Sequence, residues 1–151
     1  MKFRFEEHDY GIAALAFTHD DRYLVSCGNG IDRQYIVWDA SQGTIISHAE
    51  LGTDDVSDLV CGGWGRNIKR RDQSQYQMAS CAGTEIKVWH IDVHKSSVEE
   101  FPVMCAGKQT RVWNCLAFSD DYEYLYAGSS TGDVCAILIK NLVEEKFTKF
   151  S

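Results

Sequence analysis

Proline, long apolar runs and helical periodicity are scarce in this chain of 151 residues. Pro102 is its one proline, and no low-complexity stretch divides it into unlike domains. No run of 18 apolar residues is present, so no membrane span is expected. Residues 1–10 lack the apolar core of a secretory leader, and no Asn-x-Ser/Thr acceptor occurs. We therefore expect the protein to act in the cytosol or in an intracellular assembly.

No window of twelve or more residues keeps an apolar face at helical spacing, which predicts an all-β fold. Short alternating runs take its place, as at Ile86/Val88 and Val134/Ala136. Between them lie residues that favour turns, because Asp and Asn bond their own backbone and Gly adopts positive φ. These turn signals fall at 19–22, 28–30, 81–84 and 119–122.

Three parts of the chain repeat one ladder of segments. The ladders comprise residues 12–17, 23–26 and 35–39, then 56–61, 77–80 and 86–90, then 113–118, 124–127 and 134–137. Trp38 and Trp89 lie 51 residues apart, and Trp89 and Ile137 lie 48 apart. A period of this length indicates stacked units that each need a neighbour to bury their apolar face. The sequence predicts a partial β-propeller of about three blades, each with four antiparallel strands, over roughly residues 1–50, 51–104 and 105–151.

The third segment ends in Trp38-Asp39 in the first ladder and in Trp89-His90 in the second, and this motif is lost at Ile137-Leu138 in the third. With the ladders, these dipeptides resemble the WD-repeat family over nearly the whole chain. In that family a strand Trp and a Ser or Thr are often linked to a loop His and a turn Asp. The resemblance implies such a set in the first unit and only part of it in the second. The two sets are His8, Ser26, Asp32 and Trp38, then Ser80 and Trp89. The third unit keeps none of the four polar members.

Segments 12–17, 21–26, 82–89 and 124–133 are similar to the cilia- and flagella-associated WD-repeat proteins. This resemblance implies a non-enzymatic scaffold of the ciliary or flagellar axoneme, basal body or centriole. It also implies binding to tubulin, microtubules and neighbouring structural proteins of the cytoskeleton. The alternative is a general cytosolic WD-repeat adaptor, such as a ubiquitin-ligase substrate receptor or a signalling hub.

Three blades cannot close a ring, because propellers normally have four to eight. We therefore expect the chain to be a fragment of a longer protein. Its terminal blades are expected to have open edges, and such edges invite pairing with another chain. Self-association of the isolated chain follows as a prediction.

One hairpin of the second unit holds a basic insertion. Phe17 precedes Ser26 by 9 residues, whereas Cys61 precedes the matching Ser80 by 19. The segment 62–75 carries a net charge of +3 in a chain of net charge −7, so the remainder carries −10. Such a protrusion on an acidic body suits an acidic partner surface, and a loop Trp often anchors interfaces. The predicted partner-binding residues are Trp64, Arg66, Lys69, Arg70 and Arg71. The alternative is a solvated, tolerated insertion.

Nucleic acid is an unlikely partner, because duplex binding needs a basic face that neutralises many phosphates. Residues 128–132 match the G-x-S-x-G pattern of hydrolases, but that elbow leads into a helix and needs a later His. A strand pattern follows here, and no His lies beyond position 94. A hairpin turn is the prediction, and no enzyme activity is expected. No Gly-rich phosphate cradle is present, so no cofactor is expected.

Six cysteines form no Cys-x-x-Cys pair. In a reducing compartment we expect all six to be free, and five of them, at positions 27, 61, 81, 115 and 135, to be small hydrophobes buried in strands. The alternative is a zinc site formed by His90 and His94 with Cys81 and Cys105. Because the two histidines follow a strand, their spacing does not place both on one face, and no metal site is expected.

Overall fold

The computed structural model describes residues 3–50, 52, 54–63, 74–103 and 110–139. Eleven strands form three antiparallel sheets, in the orders β1-β2-β3-β4, β5-β6-β7-β8 and β11-β10-β9. The strands are β1 (Ile12–Phe17), β2 (Tyr23–Gly28), β3 (Gln34–Asp39), β4 (Thr44–Glu50), β5 (Val56–Gly62), β6 (Gln75–Ala82), β7 (Glu85–Asp92), β8 (Ser97–Pro102), β9 (Trp113–Phe118), β10 (Tyr124–Ser129) and β11 (Val134–Leu138).

This architecture confirms the all-β prediction and the succession of blade-like sheets. The third sheet has three strands, and a fourth would fall within 140–151, outside the described residues. Within the described ranges, no helix is long and apolar enough to cross a membrane. The blade limits read from the sequence stay a prediction.

The first hairpins of sheets one and three close with the same turn. Asp21 and Tyr122 each lie four residues beyond the end of the first strand and have positive φ of 59° and 57°. The amide of Asp21 donates to the carbonyl of Thr18 at 2.9 Å, and Tyr122 donates likewise to Ser119 at 2.9 Å. Hydroxyls of Thr18 and Ser119 also cap their turns. The Asp-rich turn signals of the sequence are thus explained by local hydrogen bonding.

Two apolar clusters hold the sheets face to face. Between sheets one and two, the ring of Tyr35 stacks on Trp89 at a centroid distance of 5.1 Å and an angle of 16°. Between sheets two and three, Trp113, Leu125 and Ile137 are almost fully buried. Each sheet buries its apolar face against the next, as expected for repeats that cannot form a core alone.

The two outer sheets expose apolar side chains on the faces turned away from sheet two. Leu15 and Phe17 of β1 are 57% and 51% exposed, and Val134 of β11 is 73% exposed. On β10, Tyr126 is 41% exposed and is paired with Ala136, on the same face as Val134. These open apolar faces, besides the open edges, support the prediction that the isolated chain self-associates.

The cysteine prediction is correct for Cys27 and Cys81, which are buried, and wrong for Cys115, which is exposed. Burial raises the pKa of Cys27 to about 12 and, with the nearby Asp58, that of Cys81 to about 11. Cys115 pairs with Gly128 on the outer face of the third sheet, which no other described sheet covers. Strand alternation, rather than residue type, decides its exposure.

Candidate functional site

The five residues predicted to bind a partner all lie within 64–73, outside the described residues. The structure does place the two ends of the insertion. Gly63 follows β5 and Ser74 precedes β6, so the insertion joins the first two strands of sheet two. The corresponding connections span only 18–22 in sheet one and 119–123 in sheet three. The predicted position of the insertion is therefore confirmed.

The first end of this loop is pressed against the third sheet. A Cβ atom added to Gly62 would lie 2.8 Å from the ring of Phe118, and one added to Gly63 would lie 2.7 Å from the ring of Tyr122. Real Cβ atoms do not approach other atoms so closely, so both positions need glycine here. The Gly62-Gly63 pair lets the backbone lie directly on two aromatic rings of the neighbouring sheet, which fixes the base of the loop between sheets two and three.

Gln77 is a second anchor for the base of the loop, and it is fully buried. Its Nε2 donates to the carbonyl of Gly63 at 3.2 Å, and its Oε1 lies 3.0 Å from Nε2 of His90. The His90 ring also packs on Phe101 at a centroid distance of 4.5 Å. His90 stands where the first repeat has Asp39, so this departure from Trp-Asp supports the loop. His90 therefore contacts Gln77 and Phe101, while Cys105, one of the residues of the alternative zinc site, lies outside the described residues.

Asp39, at the matching position of the first sheet, has different hydrogen-bond partners. Its carboxylate accepts hydrogen bonds from the Ser41 hydroxyl at 2.7 Å and from the amide of Gln42 at 3.0 Å. The hydrogen bond from Ser41 is the main cause that lowers the pKa of Asp39. Sequence comparison finds the exchange of Asp39 for His90. It does not find Gln77, which reads as one more polar residue in an apolar strand.

The turns at the same end of the blades are acidic. Seven carboxylates and two cations lie in the described part of this end: Asp20, Asp21, Asp39, Asp92, Asp120, Asp121, Glu123, Arg22 and Lys95. Asp20 accepts a hydrogen bond from the Tyr76 hydroxyl at 2.7 Å, which ties sheet one to sheet two. Burial opposes ionisation of Asp20, but hydrogen bonds from Tyr76 and Thr18 leave its pKa lowered. The basic insertion therefore leaves the blades among groups of opposite charge.

The polar set implied for the first repeat is present. The indole Nε1 of Trp38 donates to Ser26 Oγ at 2.8 Å, and Nε2 of His8 lies 2.7 Å from the same oxygen. Nδ1 of His8 bonds the carboxylate of Asp32, which also accepts the amide of Asp9 at 2.9 Å. Burial would raise the pKa of Asp32, but the hydrogen bonds from His8 and Asp9 lower it. The prediction is confirmed.

The second repeat keeps only the inner half of that set. Trp89 Nε1 donates to Ser80 Oγ at 2.8 Å. Val56 begins β5 as Ile12 begins β1, and four residues before them stand Gly52 and His8. The second sheet thus has a glycine at the position of the first sheet's imidazole.

The G-x-S-x-G segment forms the turn between β10 and β11, as predicted. Ser129 Oγ lies 2.9 Å from Thr131 Oγ1, and Thr131 donates to Asp133 at 3.0 Å. Gly132 has a φ of +92°, a conformation that favours glycine. The chain then continues as a strand, so Ser130, the serine of the pattern, is not on the strand-to-helix elbow that such hydrolases use.

Residues 1–39 match the family described as WD domain, G-beta repeat. Cilia- and flagella-associated protein 52 of Homo sapiens is 30% identical over 132 residues, which cover 87% of this chain and 20% of that protein. Its Chlamydomonas reinhardtii counterpart is 24% identical over 136 residues, 90% of this chain and 20% of that protein. The chain thus spans about a fifth of the length of these relatives.

Among solved structures, the β-propeller domain of Cps50 (Swd1) from Myceliophteria thermophila superposes with a TM-score of 0.69 at 16% identity. The match covers 91% of this chain and 41% of that one. At this identity the likeness concerns the fold. The described sheets have the fold of consecutive β-propeller blades, residues 1–39 match the WD-repeat family, and the sequence resembles the cilia- and flagella-associated WD-repeat proteins.

Proposed function

We propose that this stretch of WD-repeat propeller is part of a non-enzymatic scaffold of the cilium or flagellum. In this proposal it binds an acidic protein surface through the insertion between β5 and β6, and tubulin of the axonemal microtubules is the partner. The observation that carries the proposal is the basic loop whose base is fixed between two blades. The names of the relatives, cilia- and flagella-associated protein 52, support the cellular location.

The base of the loop supports a binding role rather than a tolerated insertion. Solvated insertions usually leave the scaffold through permissive turns. Here Gly62 and Gly63 lie against two aromatic rings, and the fully buried Gln77 holds the carbonyl of Gly63. A loop whose first residues are fixed in this way loses less conformational entropy when it binds a partner.

Charge supports a contact made by the loop itself. The segment 62–75 carries +3, while the described turns beside it are mostly carboxylates. An acidic partner is repelled by those turns and attracted by the loop, so Arg66, Lys69, Arg70 and Arg71 provide the attraction. Trp64 supplies an apolar anchor of the kind that dominates interface energies.

The test compares co-sedimentation with microtubules for the wild type and for a variant with Arg66, Lys69, Arg70 and Arg71 all replaced by Ser. We expect the variant to bind at least about tenfold more weakly, which corresponds to about 1.4 kcal/mol. The wild-type advantage should shrink as salt rises, because exposed charges are screened over about 8 Å at physiological ionic strength. Trp64→Ala should weaken binding without changing its salt dependence.

A matched control removes the same charge elsewhere. Arg4, Arg22, Arg33 and Lys95 are exposed, lie outside the insertion and give the same net charge when all become Ser. This control should bind microtubules nearly as well as the wild type. Equal weakening of both fourfold variants would reduce the effect to net charge and contradict the loop contact. Circular dichroism and urea denaturation of both variants exclude unfolding as the cause.

Localisation of the tagged full-length protein tests the cellular part of the proposal. Signal along the axoneme or at the basal body supports a ciliary scaffold. A diffuse cytosolic signal in ciliated cells would contradict it and favour the general adaptor.

A further inference from the structure

The second blade holds a cavity where the first blade holds an imidazole ring. The cavity has a volume of about 290 Å³ and is lined by Gly52, Asp54, Val56, Ser80, Ala82, Glu85, Lys87 and Trp89. It lies at the end of the blades opposite to the basic insertion, since β5 begins there and ends at the insertion. It therefore belongs to neither the loop nor the function proposed for it.

The serine has the same strand pairing and the same indole hydrogen bond in both blades. Leu15 pairs with Ser26 in sheet one, and Leu59 pairs with Ser80 in sheet two. Each serine accepts an indole N–H at 2.8 Å. In sheet one the other side of the hydroxyl meets Nε2 of His8 at 2.7 Å. In sheet two the residue at that position is Gly52, and the space next to Ser80 belongs to the cavity.

Carboxylates line this cavity as a carboxylate faces the ring in the first blade. Asp32 holds Nδ1 of His8 there, whereas Asp54 and Glu85 border the cavity in the second blade. Lys87, also at the wall, lies 3.9 Å from Glu85 and 3.5 Å from Glu100, so its charge is already balanced. Within the described ranges Asp54 forms no ion pair, and this residue is exposed at the rim with its carboxylate beside Gly83. It is free to accept an N–H from a ring that enters.

We propose that this cavity is a binding site for the histidine side chain of a partner protein. The ring supplies from outside what His8 supplies within the first blade. One ring nitrogen accepts the Ser80 hydroxyl hydrogen, the N–H of the other donates to Asp54, and the ring lies beside the Trp89 indole. Sheets one and three flank sheet two on both sides, so the cavity does not depend on blades beyond this chain.

A protein side chain is favoured over a free small molecule by the position of the cavity. It opens between exposed carboxylates at the end of a blade, where adjoining turns can contact a partner backbone. Among the described residues, the one atom within 4 Å of a Cβ added to Gly52 would be Glu85 Oε2, at 3.9 Å, so the backbone there does not block the entrance.

The first experiment uses 4-methylimidazole, which has the ring of a histidine side chain, with protein labelled with ¹⁵N at tryptophan. The chain has four tryptophans, so their indole N–H signals can be assigned by substitution. We expect a saturable shift of the Trp89 signal and none of Trp38, whose site is occupied by His8. 3-Methylthiophene, a ring of the same size without an N–H donor, should leave Trp89 unshifted. Equal shifts with both compounds, or none with 4-methylimidazole, would overturn the proposal.

Two variants test the position directly. Gly52→His supplies the ring from the chain itself, and it should weaken the 4-methylimidazole response of Trp89 at least about tenfold. Gly52→Ala is the matched control and should bind 4-methylimidazole like the wild type. Conversely, His8→Gly should make Trp38 respond to 4-methylimidazole. Unchanged binding by Gly52→His would place the ligand elsewhere and contradict the assignment.

A blocked tripeptide, acetyl-Ala-His-Ala-amide, distinguishes a histidine within a protein chain from a small imidazole compound as the ligand. Binding at least as tight as that of 4-methylimidazole supports a histidine within a protein chain, and acetyl-Ala-Phe-Ala-amide should not bind. If the free ring binds and the peptide does not, the site takes small imidazole compounds and the partner proposal is wrong.

Discussion

The first and second blades hold the same tryptophan by the same hydrogen bond but differ in what surrounds it. In the first blade, Ser26 and Trp38 continue outward into His8 and Asp32. In the second, Ser80 and Trp89 stop at a cavity. Both sheets have the same strand order and antiparallel pairing, so the outer half of the set is not required for the strand geometry of a blade. The outer half of the set is then free to be replaced.

The side chains that pack against the tryptophan also differ between the two blades. Trp89 lies in the cluster between sheets one and two and stacks on Tyr35. Trp38 instead meets Phe5, edge on, at a centroid distance of 5.2 Å. The second blade therefore relies on neighbouring blades for its tryptophan, and the first relies on the N-terminal segment.

The largest effect is expected from Trp89→Ala. Removing a buried aromatic ring costs about 3–5 kcal/mol of the free energy of unfolding, and the loss at Trp89 also opens the contact between two sheets. Trp38→Ala should lie at or below the lower end of that range, because its ring packs on a terminal segment. Urea denaturation followed by circular dichroism measures both. A larger loss at Trp38 would reverse the assignment of roles.

The next effect separates the two polar surroundings. Asp32→Ala leaves the buried ring of His8 without its carboxylate, which should cost about 1–3 kcal/mol. Asp54→Ala, at the rim of the second blade, should stay within about 0.5 kcal/mol of the wild type. Thermal unfolding of the two variants at neutral pH gives the comparison. Similar losses would mean that Asp54 has a structural partner like that of Asp32.

The sequence predicts the repeated part of this molecule well and the particular part poorly. The strand ladders and the position of the insertion follow from spacing, because blades repeat the same backbone geometry. The set around Trp38 follows from the resemblance to the WD-repeat family. The anchoring of the loop depends on contacts between blades. Gly62 lies against a ring of the next blade, 56 positions later in the chain, and within its own blade Gln77 bonds the carbonyl of Gly63, 14 positions earlier. Local patterns contain no signal for such contacts.

Residue type also gives a wrong prediction of burial where the face of the strand determines exposure. Cys115 lies in an apolar strand pattern, as the buried cysteines do, but its side chain points to the open face of sheet three. The cavity was missed for a related reason. The sequence shows that the second repeat lacks a His and an Asp. Only the structure shows that nothing among the described residues fills the place of the ring.

Gly52→His makes the second blade more like the first, and it should add about 1 kcal/mol to the free energy of unfolding. The φ of Gly52 is not in the left-handed region, and an added Cβ meets no atom of the described residues closer than 3.9 Å, so neither the backbone conformation nor the Cβ opposes the substitution. Gly52→Ala, measured beside it, removes the backbone effect of replacing a glycine. If both variants gain equally, the imidazole itself contributes nothing.

The smallest effect is a difference in pH dependence. Hydrogen bonds lower the pKa of Asp32 against the opposing effect of burial, and Asp20 behaves in the same way at the contact between the first two blades. In the unfolded chain these groups titrate near the usual value of about 3.9, so below pH ~5 the unfolded state binds more protons than the folded state. Stability that is present above this range should therefore fall as the pH drops through it.

Asp32→Asn removes one of these titrations without changing the size of the side chain. We expect the variant, although less stable at neutral pH, to lose stability less steeply between about pH 5 and pH 3 than the wild type. Ser26→Ala is the matched control, because it weakens the same set of hydrogen bonds and leaves the bond between His8 and Asp32 in place. Its stability should fall as steeply as that of the wild type. Parallel urea titrations across this range measure the slopes. If Asp32→Asn and Ser26→Ala have the same slope, the carboxylate of Asp32 does not contribute to acid sensitivity, and the two blades differ in packing alone.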